Sequence, residues 1–143
     1  MGMTATNVNN TDGAIVIWQV LDTKPGHRNQ VIGLTDALSH IRHATVCEVP
    51  VTNSFRGWRS LLTPRLGTFD HLPAPDLLIA AGHSTHLPLL ALNRRFGGRT
   101  VLLMKPTLPL AWFDLCFVPD SHVFRRTPEN VELTCGAINR IRP

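Results

Sequence analysis

The sequence predicts an α/β domain, with a mainly parallel sheet covered by helices on both faces, and three observations carry that expectation. Strand-length apolar runs alternate with segments whose apolar residues recur at helical spacing. The strand-like runs are apolar throughout, as strands covered on both faces require. The 143 residues suit one domain with a sizeable core and leave no room for a two-domain enzyme.

The elements follow in chain order. Residues 1–13 are polar and rich in Thr and Asn, which predicts a disordered tail. Lacking a basic start and an apolar centre, they do not make a signal peptide. The domain is expected over residues 14–143. Its first run, AIVIWQVL at 14–21, has the length and β-branched composition of a buried strand. A Lys-Pro-Gly-His loop spans 22–29, and from Asn29 the spacing of Val31, Ile32, Leu34, Leu38 and Ile41 predicts a helix. A second strand, ATVCEVPV, fills 44–51.

Residues 54–66 place Phe55, Trp58, Leu61 and Leu62 at helical spacing, with Arg56, Arg59 and Arg65 elsewhere. Such a stripe either packs on the sheet, the preferred reading, or leans on an anionic membrane surface. DLLIAAG at 76–82 is a third buried strand ending in glycine. Ser84 then reads as the N-cap of a helix through His86, Leu87, Leu90, Leu92 and Arg94 that stops near Gly97-Gly98. Residues 100–104, 114–118 and 131–134 supply three further strands, joined by Pro-rich connections.

Composition narrows the partners. Hydrophobic residues make up 43% and charged residues 17%, ordinary for a folded chain. A net charge of +4, with a pI near 9.6, favours an anionic partner such as a phosphorylated ligand or an acidic membrane surface. The arginines form no dense run, and no motif interleaves aromatics with them at regular spacing, so nucleic acid is not an expected partner. Cys47, Cys116 and Cys135 are odd in number and far apart, which predicts buried thiols in a reducing, cytoplasmic compartment. His83 and His86 lack an evident third ligand, so no metal is expected. No apolar stretch approaches the ~20 residues that cross a bilayer.

Right-handed crossovers would bring the loops that follow the strands, at 22–29, 82–85, 105–110 and 119–122, to one edge of the sheet. Ligands of open parallel sheets sit at that edge. In the first loop Gly26 permits close backbone approach, and the following helix presents unpaired N–H groups to an anion. Lys24 and Arg28 would add to that attraction, and His27 could take a proton from a hydroxyl. The plainer alternative makes Pro25-Gly26 a tight turn, with His27 and Asn29 capping the helix. Gly82, His83, Ser84 and Thr85 repeat the pattern of strand, glycine, hydroxylated residues and helix, and could hold a phosphate or a sugar hydroxyl. Neither loop carries the G-x-G-x-x-G or G-x-x-x-x-G-K-[ST] pattern, and no G-x-S-x-G elbow surrounds Ser84.

The stretches "DTKPGHRNQVIGL", "PDLLIAAGHSTHLPLLAL", "GGRTVLLMKPTLPLAWFDLCFVPDSH" and "NVELTCGAINRI" resemble, in order and spacing, the bacterial relatives of the mitochondrial fission ELM1 family. That group is regarded as glycosyltransferases and is also labelled nucleoside-diphosphate-sugar epimerases. Pro-Gly-His-x-Asn-Gln is its most specific signature here. Thr23 stands where the family often has glycine, Lys105 where an acidic residue is common, and Asp120-Ser121-His122 replaces an acidic-His-Asp ending.

The resemblance implies a GT-B architecture of two Rossmann-like domains flanking a cleft, with the acceptor held mainly by the N-terminal half and the nucleotide sugar by the C-terminal half. This chain is similar to the N-terminal half, a three-layer Rossmann-like domain expected to have little turnover without a second domain or a homo-oligomeric partner. On that basis His27 is the expected catalytic base. Lys24, Gly26, Asn29, Gly82, Ser84 and Thr85 are the expected ligand-binding residues. The expected partners are a nucleotide sugar and a glycosyl acceptor, which can be lipid-linked, with at most peripheral contact at the inner face of the membrane and no cofactor. The competing expectation is a non-catalytic ligand-binding or protein-interaction module.

Overall fold

The apolar run that opens the domain forms β1 (Ile15–Leu21), buried at every position after Ile15. It lies inside a six-stranded sheet with β2 (Ala44–Pro50), β3 (Leu77–Ala81), β4 (Arg99–Leu103), β5 (Leu115–Pro119) and β6 (Val131–Thr134). The strand order is β2-β1-β3-β4-β5-β6, and every neighbouring pair is parallel. This is a computed structural model, and it describes residues 13–51, 69–119 and 126–135. The arrangement is the single Rossmann-like α/β domain the sequence predicts. The stripe at Phe55, Trp58, Leu61 and Leu62, the Asp120-Ser121-His122 segment and all of the expected tail except Gly13 lie outside the described residues.

The two helices pack on opposite faces. Alternate residues of β1 point to alternate sides. Val16, Trp18 and Val20 join Leu78, Ala80 and Leu102 against Leu89 and Leu92 of α2 (His86–Phe96). Ile17 and Leu21 join Ile79, Ala81, Val101 and Leu103 against Val31 of α1 (Pro25–Ile41). Trp18 is fully buried, packs 4.8 Å from the Phe96 ring, and donates its indole N–H to the Pro73 carbonyl at 3.0 Å. Removing such a side chain typically costs ~3–5 kcal/mol.

Helix α1 begins four residues before the expected Asn29. Pro25 explains this. Its ring fixes φ near the helical value, its missing N–H is needless in a first turn, and it holds the preceding Lys24 extended (φ −82°, ψ 120°). The expected loop 22–29 is therefore short, and Gly26, His27 and Asn29 are helical residues that neither form a turn nor cap one.

Helix α2 ends as expected at Gly97 and Gly98, whose φ values of 80° and 84° suit only glycine without strain. A Cβ on Gly98 would lie 2.6 Å from the Pro75 carbonyl oxygen, and the Asn93 amide donates to the Gly98 carbonyl at 2.7 Å.

Side chains pin the strands at the N-terminal edge. Asp76 Oδ2 accepts from the Val16 N–H at 2.8 Å, and Asp114 Oδ2 accepts from the Thr100 N–H at 2.8 Å and its hydroxyl at 3.2 Å. Asn130 donates to the carbonyls of Leu110 and Phe113. These polar residues are committed to holding strand ends together.

Two further expectations need correction. The apolar run of β2 is not covered on both faces: Thr45, Val46, Glu48 and Pro50 are exposed, because β2 is an edge strand. Nor are the three thiols alike, since Cys116 on β5 is buried, Cys47 on β2 half-buried and Cys135 exposed. Among the described residues no helix is long and apolar enough to cross a membrane.

Candidate functional site

Strand order fixes where a site can form. From β1 the chain moves through α1 to β2 on one side, and β3 then pairs with the other side of β1. The loops leaving β1 and β3 therefore diverge to opposite faces at adjacent positions, and this reversal opens a crevice at the C-terminal edge of the sheet. Asp22, the first residue after β1, lies in it and is 7% exposed.

Asp22 is held from three directions. Its Oδ1 accepts from the Lys24 N–H at 3.0 Å, and its Oδ2 accepts from His27 Nδ1 at 2.7 Å and from the Ser84 hydroxyl at 3.1 Å. The Ser84 contact joins residues 62 apart in sequence and ties the β3 loop to the β1 loop. The contact also bears on the histidine tautomer. A carboxylate accepts, so with Nδ1 donating to Asp22, Nε2 is the ring nitrogen left to accept a proton.

Gly82 completes the support for the imidazole. It follows β3 with φ 94°, and a Cβ there would collide with the His27 ring and lie 2.9 Å from Asp22 Oδ2. The ring rests where any other residue would place its side chain. His27 itself is the third residue of α1, so the helix start at Pro25 aims it back over the sheet edge. Its side chain is 20% exposed, which leaves the ring open to a ligand.

Of the residues expected to form the site, the structure brings His27, Gly82 and Ser84 together around Asp22 and uses the Lys24 backbone in the same cluster. Gly26 is exposed beside them with open space over its Cα, and its N–H and that of His27 belong to the helix turn that has no preceding carbonyl partner. Asn29 is exposed two residues beyond His27, about 200° around the helix, and so faces away from it.

Thr85 is a correction. It is fully buried, and its hydroxyl donates to the Ala81 and Gly82 carbonyls, so it belongs to the framework and not to the wall of the crevice. Ser84 is another. It lies within the 3-10 turn His83–Thr85 and donates to Asp22 instead of capping α2. Asp22 is the residue that sequence reasoning missed. The available signal was a carboxylate directly after an apolar strand and five residues before a histidine.

This arrangement favours proton transfer over serine nucleophilic catalysis. In a nucleophilic pair the hydroxyl bonds to the imidazole. Here the Ser84 hydroxyl bonds to the carboxylate, and His27 Nε2 is directed elsewhere. Beside the crevice, His86 is buried, with its ring 5.5 Å from that of His83 and 5.8 Å from that of Phe113. Burial, and secondarily His83, lowers its pKa to about 4. Among the described residues no three His, Cys, Asp or Glu side chains gather as a metal site would need.

No curated protein and no solved structure matches the chain. The family model of Mitochondrial fission ELM1 matches residues 25–143, which begin at the first residue of α1 and include His27, Gly82 and Ser84. By that match over most of its length, the chain belongs to the mitochondrial fission ELM1 family.

Proposed function

We propose that this is the acceptor-side domain of a cytoplasmic glycosyltransferase that uses a nucleotide sugar and works with a second, donor-binding domain of GT-B type. The supporting observation is the His27–Asp22 pair at the strand-order reversal, with Nδ1 held at 2.7 Å and Nε2 left to act. In this reading Nε2 takes the proton of an acceptor hydroxyl as that oxygen bonds to the anomeric carbon. The bond from that carbon to the diphosphate oxygen breaks, and the nucleoside diphosphate leaves with the electron pair. Asp22 stabilises the imidazolium that forms. The net charge of +4 favours such anionic substrates.

The test is turnover of radiolabelled nucleotide sugars by the chain joined to a family C-terminal domain, with His27→Ala as the comparison. General-base catalysis predicts a loss of about 10²–10⁴-fold. Equal rates would remove His27 from the mechanism. Ligand binding without turnover by the joined protein would favour the non-catalytic module instead.

A further inference from the structure

The first residue after β4 is at odds with its backbone. Met104 has φ 80°, the only positive φ of a non-glycine residue among those described. Left-handed backbone penalises a Cβ, and an unbranched thioether has no local hydrogen bond with which to offset the cost. Glycine would fit there without strain, yet the chain carries a methionine. That side chain is not core: Met104 is 38% exposed, and its sulfur meets the Gln30 amide at 3.8 Å.

Its place in the fold links it to the crevice. Ala81 and Leu103 are paired in the sheet, so Gly82 and Met104 follow side by side at the C-terminal edge. Gly82 carries the His27 ring, and Gln30 lies three residues after His27, on the same face of α1. Along one rim stand Asp22, Gly82 and Met104, with His27 and Gln30 above them.

We infer that Met104 is a specificity-determining residue of this crevice, where its thioether packs against hydrocarbon surface of the acceptor next to the hydroxyl that His27 deprotonates. This rests on the acceptor-side reading given above. The hydrocarbon could be the C–H face of a sugar ring or a prenyl chain. Methionine suits either, because its flexible, polarisable side chain adapts to irregular apolar surfaces.

The sequence allows a direct test that needs no turnover. Its three methionines are Met1, Met3 and Met104. In methyl-¹³C-methionine protein the Met104 signal is identified as the one lost in Met104→Leu. Geranyl phosphate, methyl glucoside and inorganic phosphate are titrated separately. Met104 is expected to shift with geranyl phosphate if the hydrocarbon is prenyl, with methyl glucoside if it is a sugar face, and in neither case with inorganic phosphate alone. Met104→Gly, which relieves the backbone, is expected to raise the Tm by a few degrees (~2–4 °C) while weakening the active probe about fivefold or more.

An unmoved Met104 signal with both organic probes would overturn the inference, as would an equal shift with inorganic phosphate or unchanged affinity in Met104→Gly. His27→Ala is expected to retain the Met104 shift. Failure of the proton-transfer reading, seen as unchanged turnover in that variant, is thus distinguishable from failure of this one.

Discussion

Asp22 Oδ2 holds His27 Nδ1 at 2.7 Å, and the two residues come from different elements, the end of β1 and the first turn of α1. The carboxylate fixes both the tautomer and the direction of the ring. Asp22→Asn keeps the shape but can present an amide N–H to Nδ1, which would leave the hydrogen on Nε2 and its lone pair unavailable. In the proposed reading, turnover by the chain joined to a family C-terminal domain should fall about 10²–10⁴-fold, with little change in Tm. The imidazole ¹⁵N shifts should report the exchanged tautomer, and a variant with unchanged shifts and rate would remove Asp22 from its positioning role.

Gly82→Ala places a methyl group where the His27 ring lies, at a φ of 94° that strains any L side chain. The ring must turn away from Asp22. The expected cost is about 1–3 kcal/mol in chemical denaturation, together with loss of the His27-dependent rate. A variant as stable as the parent would show that the rim relaxes more easily than its contacts imply.

Acid should destabilise the fold through His86. Its folded pKa is lowered to about 4 from the ordinary 6.5, because burial disfavours the charged ring and His83 adds repulsion. Between those values the unfolded chain binds the proton more readily. Stability from this group is therefore complete above about pH 6.5, declines as the pH falls toward about 4, and is flat below. The loss is on the order of 3 kcal/mol across the window. Urea midpoints measured against pH should show this slope, and His86→Leu should flatten it.

Asp114→Ala should lower stability by about 1–3 kcal/mol, since the buried Thr100 loses a carboxylate that accepts from both its N–H and its hydroxyl. The strand end it pins lies at the edge opposite His27, so the Met104 methyl signal and the His27 ring shifts should stay in place. Their movement in Asp114→Ala would mean that the two edges of the sheet are coupled.

The thiols should separate by alkylation rate. Cys135 is exposed, Cys47 is half-buried with its pKa raised by burial, and Cys116 is buried with its pKa pushed up to about 11. Only the thiolate reacts. Mass spectrometry after brief treatment with iodoacetamide near neutral pH should find Cys135 labelled first and Cys116 labelled only on unfolding.

Among the described residues, the sequence by itself determined the α/β class, the six strands and the helical runs before β2 and β4, because periodicity and apolar run length record how an element is covered on its own two faces. It also marked His27, Gly82 and Ser84, since a glycine or a hydroxylated residue between a strand and a helix stands out locally. The start of α1 at Pro25 was legible too, from the proline alone, although the spacing of apolar residues pointed to Asn29.

Only the tertiary structure decided what those residues do. The order β2-β1-β3 makes neighbours of loops some sixty residues apart, and no local pattern encodes which strand pairs with which. That order turns Asp22 from a loop carboxylate into the common acceptor of His27 and Ser84, while Asp76 and Asp114 go to strand ends. It exposes the edge strand β2 despite its apolar composition, and it buries Thr85, whose hydroxyl looked free in sequence. The physical reason is range: backbone preference and amphipathicity act over a few residues, whereas the hydrogen-bond partners of a side chain depend on where the sheet brings distant segments into contact.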